Sequence, residues 1–434
     1  MSKLTVGVFN DSFPPTIDGV ANATVNYAKI IHKNHGTAIV ATPKYPNVKD
    51  NYPFQVIRYP SAYINKKLGY RAGYPFSPYT VYRLRKAKLD IIHTHSPFIS
   101  TVLARVVRYR SNIPVVFTYH TKFDIEFRRI VPFNPVISAS AKFLLSNINA
   151  CDEVWVVSEG AGENLRSLGY TGDYIVMDNG TDFPKGRASQ SEVNQLRNRY
   201  NIDDNTPVFL FVGRMMWYKG IKLMLDGLKT VKNNGYNFRM IFVGDGYDRI
   251  AIEEYADDCN LKEDCIFTGS IYDRNLLRTY YTLADLFLFP STFDTNGIAV
   301  TEAAACSCPG LLIRGSCAAE RIRHMETGML IDENPEELAE AVMYACDNPS
   351  VIKKIGEAAA EKVYLSWEDA VAKAYERYKV ILENYVPRKD LPSRFVFYDE
   401  IKHLKEEFGL KKEQLIGYYR EGKPVKDLLD QYLK

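Results

Sequence analysis

At 434 residues, 46% hydrophobic and 25% charged, the chain is long enough for two folded domains, and its composition excludes a disordered or fibrous protein. No run of 18 apolar residues occurs and the start MSKLTVGVFNDSF lacks the layout of a secretory signal, so a cytosolic chain that does not span a membrane is expected. The net charge of +3 conceals an asymmetry, because residues 1–150 carry 20 Lys/Arg against 6 Asp/Glu; an anionic partner is expected there, but not nucleic acid, since no helix-turn-helix spacing, zinc finger or aromatic RNA-binding signature is present.

In chain order, short apolar runs recur as LTVGVF, TAIVAT, LDIIHTH, PVVFTYH and DEVWVVS, and after residue 204 as PVFLFVG, RMIFVGDG, CIFTG, DLFLFP and GLLIRG. Each is four to eight residues long, rich in Val, Ile and Phe, and separated from the next by enough chain for a crossover helix. Parallel strands buried on both faces read this way, so the fold class is α/β, twice over. The polar segment GRASQSEVNQLRNRYNIDDNTP (186–207) breaks the alternation. It places a boundary near residue 203, giving domains 1–203 and 204–387, with the last helix of the second expected to cross back to the first. Residues 388–434 read as a helical, amphipathic extension that packs on the first domain, mediates dimerisation or touches membrane.

Polar and glycine residues follow the strands immediately: Asp11, His95, His120 and Ser158 in the first half, then Gly213-Arg214, Gly244-Asp245-Gly246, Gly269 and Pro290-Ser291. Open α/β sheets bind ligands at the carboxyl ends of their strands, and two such edges facing each other would form a cleft. The loop VGRMMWYKG (212–220) offers Arg214 and Lys219 beside a helix start, which suits a diphosphate, although a solvated basic turn has the same composition. The stretch PSTFDTNGIAVTEAAA (290–305) sets Asp294 and Glu302 around a small-residue loop. Thr295 or Asn296 is expected to cap the following helix, leaving the amides of Gly297, Ile298 and Ala299 for an anion or sugar hydroxyls. Glu302 has no Ser or Thr three residues earlier for a reciprocal capping box, so it suits the vicinal diol of a ribose, and Asp294 the hydroxyls of a second sugar. The seven cysteines lack paired zinc-ligand spacing; Cys306 and Cys308 form a lone C-x-C, and His93 and His95 share a strand face without a third ligand nearby. No D-x-D motif occurs, so a metal-bridged diphosphate is not expected and metal is absent from the expected site.

The ordered elements DSFPPTIDGV, DIIHTHSPF, VVFTYHT, DEVWVVSE, DNGTD, FVGRMMWYKG, VGDGY, FTGSI, ADLFLFPST and DTNGIAVTE, running from residue 4 to about 380, resemble the retaining family 4 glycosyltransferases. The resemblance implies the GT-B fold, two Rossmann-like doubly wound domains facing a central cleft, and a UDP-sugar held mainly by the C-terminal domain with no cofactor. It implies Glu302 on the ribose, Arg214 and Lys219 on the diphosphate, Asp294 on the donor sugar, Gly19 giving backbone access to the phosphates, and His120 contacting the transferred sugar. TYHT and HTHSPF are most similar to the bacterial and plant diacylglycerol glycosyltransferases, which points to glucose or galactose as the sugar and a lipid, 1,2-diacylglycerol, as acceptor. A soluble or polyprenyl-linked glycan acceptor, or a non-catalytic sugar-nucleotide binder, are the alternatives.

The sequence departs from the family pattern in four places. Asp294 stands where Glu is usual, Asp18-Gly19 replaces a double glycine, Tyr218 precedes Lys219 where Glu is common, and Ser307 replaces a glycine. The basic, tyrosine-rich interval 51–123, with Arg83, Arg85, Lys86, Lys88, Arg105, Arg108 and Arg110, is expected to dock peripherally on the anionic inner face of a membrane.

Overall fold

A computed structural model describes residues 3–16, 18–65, 70–123 and 134–387; the 388–434 extension lies outside the described residues, as does the Arg110 side chain. The chain forms two compact units, the first comprising Met1–Val157, Ala161–Met177 and the chain from Val371, the second Ser158–Gly160 and Asp178–Ala370.

The first unit is a seven-stranded parallel sheet. Its strands are β1 (Thr5–Phe9), β2 (Thr37–Pro43), β3 (Gln55–Tyr59), then, beyond a separate antiparallel hairpin of β4 (Ser61–Asn65) and β5 (Tyr70–Gly73), β6 (Ile91–Thr94), β7 (Val115–Tyr119), β8 (Glu153–Val156) and β9 (Ile175–Val176). They lie in the order β3-β2-β1-β6-β7-β8-β9. The central β6 and β7 are buried along their whole length, as mainly apolar runs allow when helices cover both faces, and of their polar members His93 and Thr118 bond each other. The second unit repeats the plan with β10 (Val208–Val212), β11 (Arg239–Val243), β12 (Cys265–Gly269), β13 (Leu286–Phe289), β14 (Gly310–Ile313) and β15 (Gly328–Ile331), ordered β12-β11-β10-β13-β14-β15. Winding reverses between β1 and β6 in the first sheet and between β10 and β13 in the second, so each sheet has a switch point where successive loops diverge.

All ten strands expected from apolar runs are present. β3 (QVIRY), the hairpin strands β4 and β5, the two-residue β9, and β15 were not expected. β3 mixes exposed, part-buried and buried residues, and β15 (GMLI) lies between polar residues with no Val or Phe in its run. The division between the units falls at Asp178, earlier than the expected residue 203. Hydrophobic burial is the reason: Phe183, Val193, Leu196 and Ile202 all join the core built on β10 and β11. Backbone bonds from Thr181 to Leu365 and from Trp367 to Thr181 tie the same segment to the end of the second unit.

The second division falls inside the last helix, Trp367–Asn384, at Val371; the expected second domain ran to 387 with this helix crossing back to the first. Tyr375 and Tyr378 on this helix pack in the first unit, where the Tyr375 hydroxyl accepts from the Leu4 N–H at 2.9 Å and the Tyr378 hydroxyl lies 2.6 Å from His93 Nδ1. Both His93 and Tyr378 are fully buried, so removing the hydroxyl strands a buried ring nitrogen. Tyr378→Phe should therefore lower unfolding free energy by about 1–3 kcal/mol, seen as a lower urea midpoint for the first unit; an unchanged midpoint would show that this bond does not hold the helix.

Candidate active site

In the second unit the two loops at the switch point carry the expected cations and carboxylate. After β10 the chain makes a single 3₁₀ turn, Trp217–Lys219, and Gly220 then opens the helix Ile221–Asn233 with φ +76°. A Cβ at Gly220 would lie 2.1 Å from the Pro290 carbonyl oxygen, so only glycine lets the β10 loop approach the β13 loop this closely. That approach brings together residues 75 positions apart: Lys219 Nζ donates to Asp294 Oδ1 at 2.5 Å. Lys219 is only 6% exposed, and its ammonium lies 5.8–6.0 Å from the ring centroids of Tyr218, Phe289 and Phe293. Tyr218, where the family pattern has Glu, thus packs against Phe293 (centroids 4.5 Å apart) and provides aromatic surface for both cations, with the exposed Arg214 guanidinium 6.0 Å from its ring. Asp294 Oδ2 is buried and has no hydrogen-bond partner among the described residues.

The helix after this loop, Ile298–Ala305, does not begin as expected. Neither Thr295 nor Asn296 caps it; Gly297 occupies the N-cap at φ +65° without a side-chain hydrogen bond, its Cα packed so that a Cβ would meet Ala318 at 2.6 Å. Thr295 is instead held through its carbonyl, which accepts from Ser158 Oγ at 2.6 Å. Gly297 gives the first amides, of Ile298 and Ala299, no side-chain cap among the described residues, and a helix start with positive partial charge suits an anion. Ser307, in place of the family glycine, takes φ +57° just after the helix.

Glu302 projects from the helix into a network that the sequence did not reveal. It is 8% exposed; its Oε1 accepts from Arg274 Nη2 at 2.7 Å and its Oε2 from the Tyr281 hydroxyl at 3.0 Å. Burial pushes the Glu302 carboxyl above its ordinary value, against the lowering by Arg274 and Tyr281. The only local signal was DRNLL, in which Asp273 caps the helix Arg274–Leu283 and so sets Arg274 in its first turn.

In the first unit His120 follows β7 and is nearly buried, its Nε2 2.9 Å from His95 Nδ1. His95 Nε2 is buried without a partner among the described residues. A buried N–H without an acceptor is rarer than a bare lone pair, which places the His95 proton on Nδ1, donating to His120 Nε2, and the His120 proton on Nδ1. Burial pushes the His120 imidazole down to about 3, so it is neutral at physiological pH. His93 is structural, with its nitrogens 2.6 Å from the Tyr378 and Thr118 hydroxyls. Asp11, at the end of β1, caps the helix Ile99–Ser111 from a distance, accepting from the Ser100 N–H (2.9 Å), Ser96 Oγ (2.7 Å) and the Tyr59 hydroxyl (3.0 Å). Gly19 is the first residue of the helix Gly19–Ile30, and a Cβ there would meet nothing within 4 Å. The first glycine of the family pair is replaced because Asp18 caps this helix, accepting from the Ala21 N–H at 2.7 Å.

The expected basic face is corrected at one position and narrowed at two. Arg108 is 6% exposed, ion-paired with Asp152 at 3.0 Å and bonded to the Ala150 carbonyl, because its place on the helix Ile99–Ser111 points it inward. Arg105 donates to Asn147 at 2.8 Å and Arg85 to the Val106 carbonyl at 3.1 Å. On and after the helix Pro78–Lys86, Lys86 and Lys88 are exposed and Arg83 is half-buried over Tyr79. Tyr79 and Tyr82 on the same helix are 70% and 61% exposed.

Lys219 and Asp294 form the pair on which this geometry turns, and both are mostly removed from water. Breaking a buried pair leaves an uncompensated charge, so Lys219→Met or Asp294→Asn alone should each cost about 2–3 kcal/mol, less than the 3–5 kcal/mol of a fully buried pair because Asp294 is partly exposed. The double variant should recover at least half of the summed loss; additive losses in a chemical-denaturation cycle would show that the two are not coupled.

Comparison with known proteins agrees with the architecture. The family model described as Glycosyltransferase Family 4 matches residues 17–183, and that described as Glycosyl transferases group 1 matches residues 192–362. An alpha-monoglucosyldiacylglycerol synthase of Acholeplasma laidlawii is 25% identical over 363 residues, covering 80% of this chain and 90% of that protein. A GDP-mannose-dependent alpha-mannosyltransferase of Corynebacterium glutamicum is 26% identical, covering 76% of this chain and 77% of that protein. Among solved structures, a Rickettsia africae glycosyltransferase superposes with a TM-score of 0.68 at 20% identity, over 89% of this chain and 100% of that one. Anabaena Alr3699/HepE, solved with UDP and glucose, does so with 0.66 at 18%, over 88% and 100%. With a switch point in each doubly wound unit and family matches over both halves, the chain belongs to the family 4 glycosyltransferases and has their GT-B fold.

Proposed function

We propose that this glycosyltransferase moves a hexose, glucose or galactose, from a UDP-sugar to a lipid hydroxyl, that of 1,2-diacylglycerol, with retention of configuration and without a metal ion. The observation that carries the reading is the uncapped start of the helix Ile298–Ala305, flanked by the Lys219–Asp294 pair and containing Glu302. In this reading the Ile298 and Ala299 amides, Arg214 and Lys219 neutralise the diphosphate as it leaves, which replaces the metal by fixed donors. Glu302 accepts the ribose hydroxyls. Asp294 meets the donor sugar with Oδ2, the oxygen that Lys219 does not occupy. His120 contributes a neutral N–H to the transferred sugar, and Gly19 gives the phosphates access to backbone N–H groups. The acceptor hydroxyl attacks the face the diphosphate leaves, and its proton passes to a phosphate oxygen. Relatives named as monoglucosyldiacylglycerol synthases support the lipid acceptor, and their names carry the α configuration. The mannosyltransferase relative favours GDP-mannose as the competing donor.

The reaction is tested with UDP-glucose, UDP-galactose and GDP-mannose, each with and without diacylglycerol vesicles, scored by product mass and anomeric NMR. An α-linked product from an α-linked UDP-hexose, made only with lipid and unaffected by EDTA, is expected; a β-linked product, or activity lost in EDTA, overturns the mechanism. Glu302→Gln should raise KM for the donor, Asp294→Asn should lower kcat, and Arg214→Ala should lower kcat on the order of 10²-fold.

A lipid acceptor also calls for attachment to membrane. No helix among the described residues is long and apolar enough to cross a bilayer. The exposed tyrosines and lysines of the Pro78–Lys86 helix and Lys88 instead suit an anionic surface, with aromatic rings at headgroup level and cations beside them. Each engaged cation contributes about 1 kcal/mol, so changing Arg83, Lys86 and Lys88 to Glu should weaken binding to anionic vesicles on the order of 100-fold or more in flotation assays. Equal binding to neutral and anionic vesicles would exclude electrostatic docking.

A further inference from the structure

Glu302 is one side of a larger device. The Arg274 guanidinium donates through Nη2 to Glu302 Oε1 and also to Asp182 Oδ1, a residue of the loop after β9, so it bridges two carboxylates 120 positions apart in the chain. Its carbon lies 4.0 Å from the centroid of the Phe183 ring, which fixes the plane of the fork. Of its other N–H groups, Nε–H is buried and unpartnered among the described residues, so at that atom the network lacks an acceptor. Tyr281, two turns along the same helix, holds the other Glu302 oxygen, and its ring packs edge-on against Phe183. Each carboxylate oxygen accepts about two hydrogen bonds, and here each has one satisfied by protein. The lone pairs left over, one on each oxygen, are a matched pair for the two hydroxyls of a cis-diol.

We propose that Arg274, assisted by Tyr281, is a positioning residue that holds the Glu302 carboxylate ionised and edge-on to the ribose of the bound nucleotide, and thereby sets selection for a ribonucleotide over a deoxyribonucleotide. The proposal rests on Glu302 as the ribose acceptor. An ionised, buried carboxylate needs a cation: Arg274 is the one facing it, Tyr281 donates from the same helix, Asp182 opposes from the β9 loop, and Cys306 lies at the end of Glu302's own helix. Without Arg274, burial and Asp182 both favour the protonated acid, which would donate where the diol needs an acceptor.

The test is calorimetric binding of UDP and of 2′-deoxyuridine 5′-diphosphate to the full chain. The native protein should prefer UDP on the order of tenfold or more, the usual worth of a hydrogen bond to a charged group. Arg274→Ala should bring that ratio close to one and weaken UDP about tenfold, with UDP affinity recovering as pH rises because Glu302 must lose its proton; the native protein should show no such recovery. Arg274→Lys should restore part of the ratio, and Tyr281→Phe should lower it less than Arg274→Ala does. A native ratio in Arg274→Ala, when Glu302→Gln has lost it, overturns the positioning role. A native ratio in Glu302→Gln removes the ribose reading itself, so the two failures are separate. Should Arg274→Ala not fold, unchanged ratios in both Arg274→Lys and Tyr281→Phe overturn the proposal.

Discussion

Helices cover both faces of each parallel sheet, so the central strands carry mostly apolar side chains, any buried polar group on them needs a partner within the core, and the chemistry is gathered at their carboxyl ends. In the second unit this constraint acts most sharply between β10 and β13, adjacent strands whose following loops turn away in opposite senses. The space between those loops is closed by the backbone contact of Gly220 with Pro290, which sets Lys219 against Asp294. The first sheet obeys the same rule: Asp11 follows β1, His95 follows β6 and His120 follows β7.

The two units use their buried polar groups differently. In the first several have neutral partners, Asp11 hydroxyls and a helix amide, His93 two hydroxyls and His120 another imidazole, while Arg108 pairs with Asp152 and His95 Nε2 has no partner among the described residues. Such networks fix tautomers and side-chain direction, so His120 is preorganised as a neutral group. In the second unit two pairs at the switch-point loops and the following helix are charged, Lys219 with Asp294 and Arg274 with Glu302, and each retains a polar atom without a partner among the described residues. Buried ion pairs with a hydrogen-bonding valence left over add little net stability, but they hold charge in a fixed place.

The departures from the family pattern acquire physical sense in this frame. Asp18 caps a helix, Ser307 accepts a left-handed conformation, and Tyr218 exchanges a carboxylate for an aromatic face beside two cations. The last of these leaves Asp294 as the carboxylate paired with Lys219, and a shorter residue than the usual Glu suits that role, because the pair already meets at 2.5 Å.

The sequence alone determined the fold class, because apolar runs of strand length separated by helix-length segments admit only a covered parallel sheet, and it located the loops that carry Arg214, Lys219, Asp294 and Glu302. These are local properties: a period, a glycine turn, a strand followed by polar residues. Tertiary structure decided what no local pattern encodes. It moved the boundary to Asp178, since Val193 and Leu196 bury against β10 and β11, and it turned Arg108 inward to Asp152. It also joined Arg274 to Glu302 and Asp182, because pairing across such chain separations depends on where two helices and a loop meet, and residue order does not specify that.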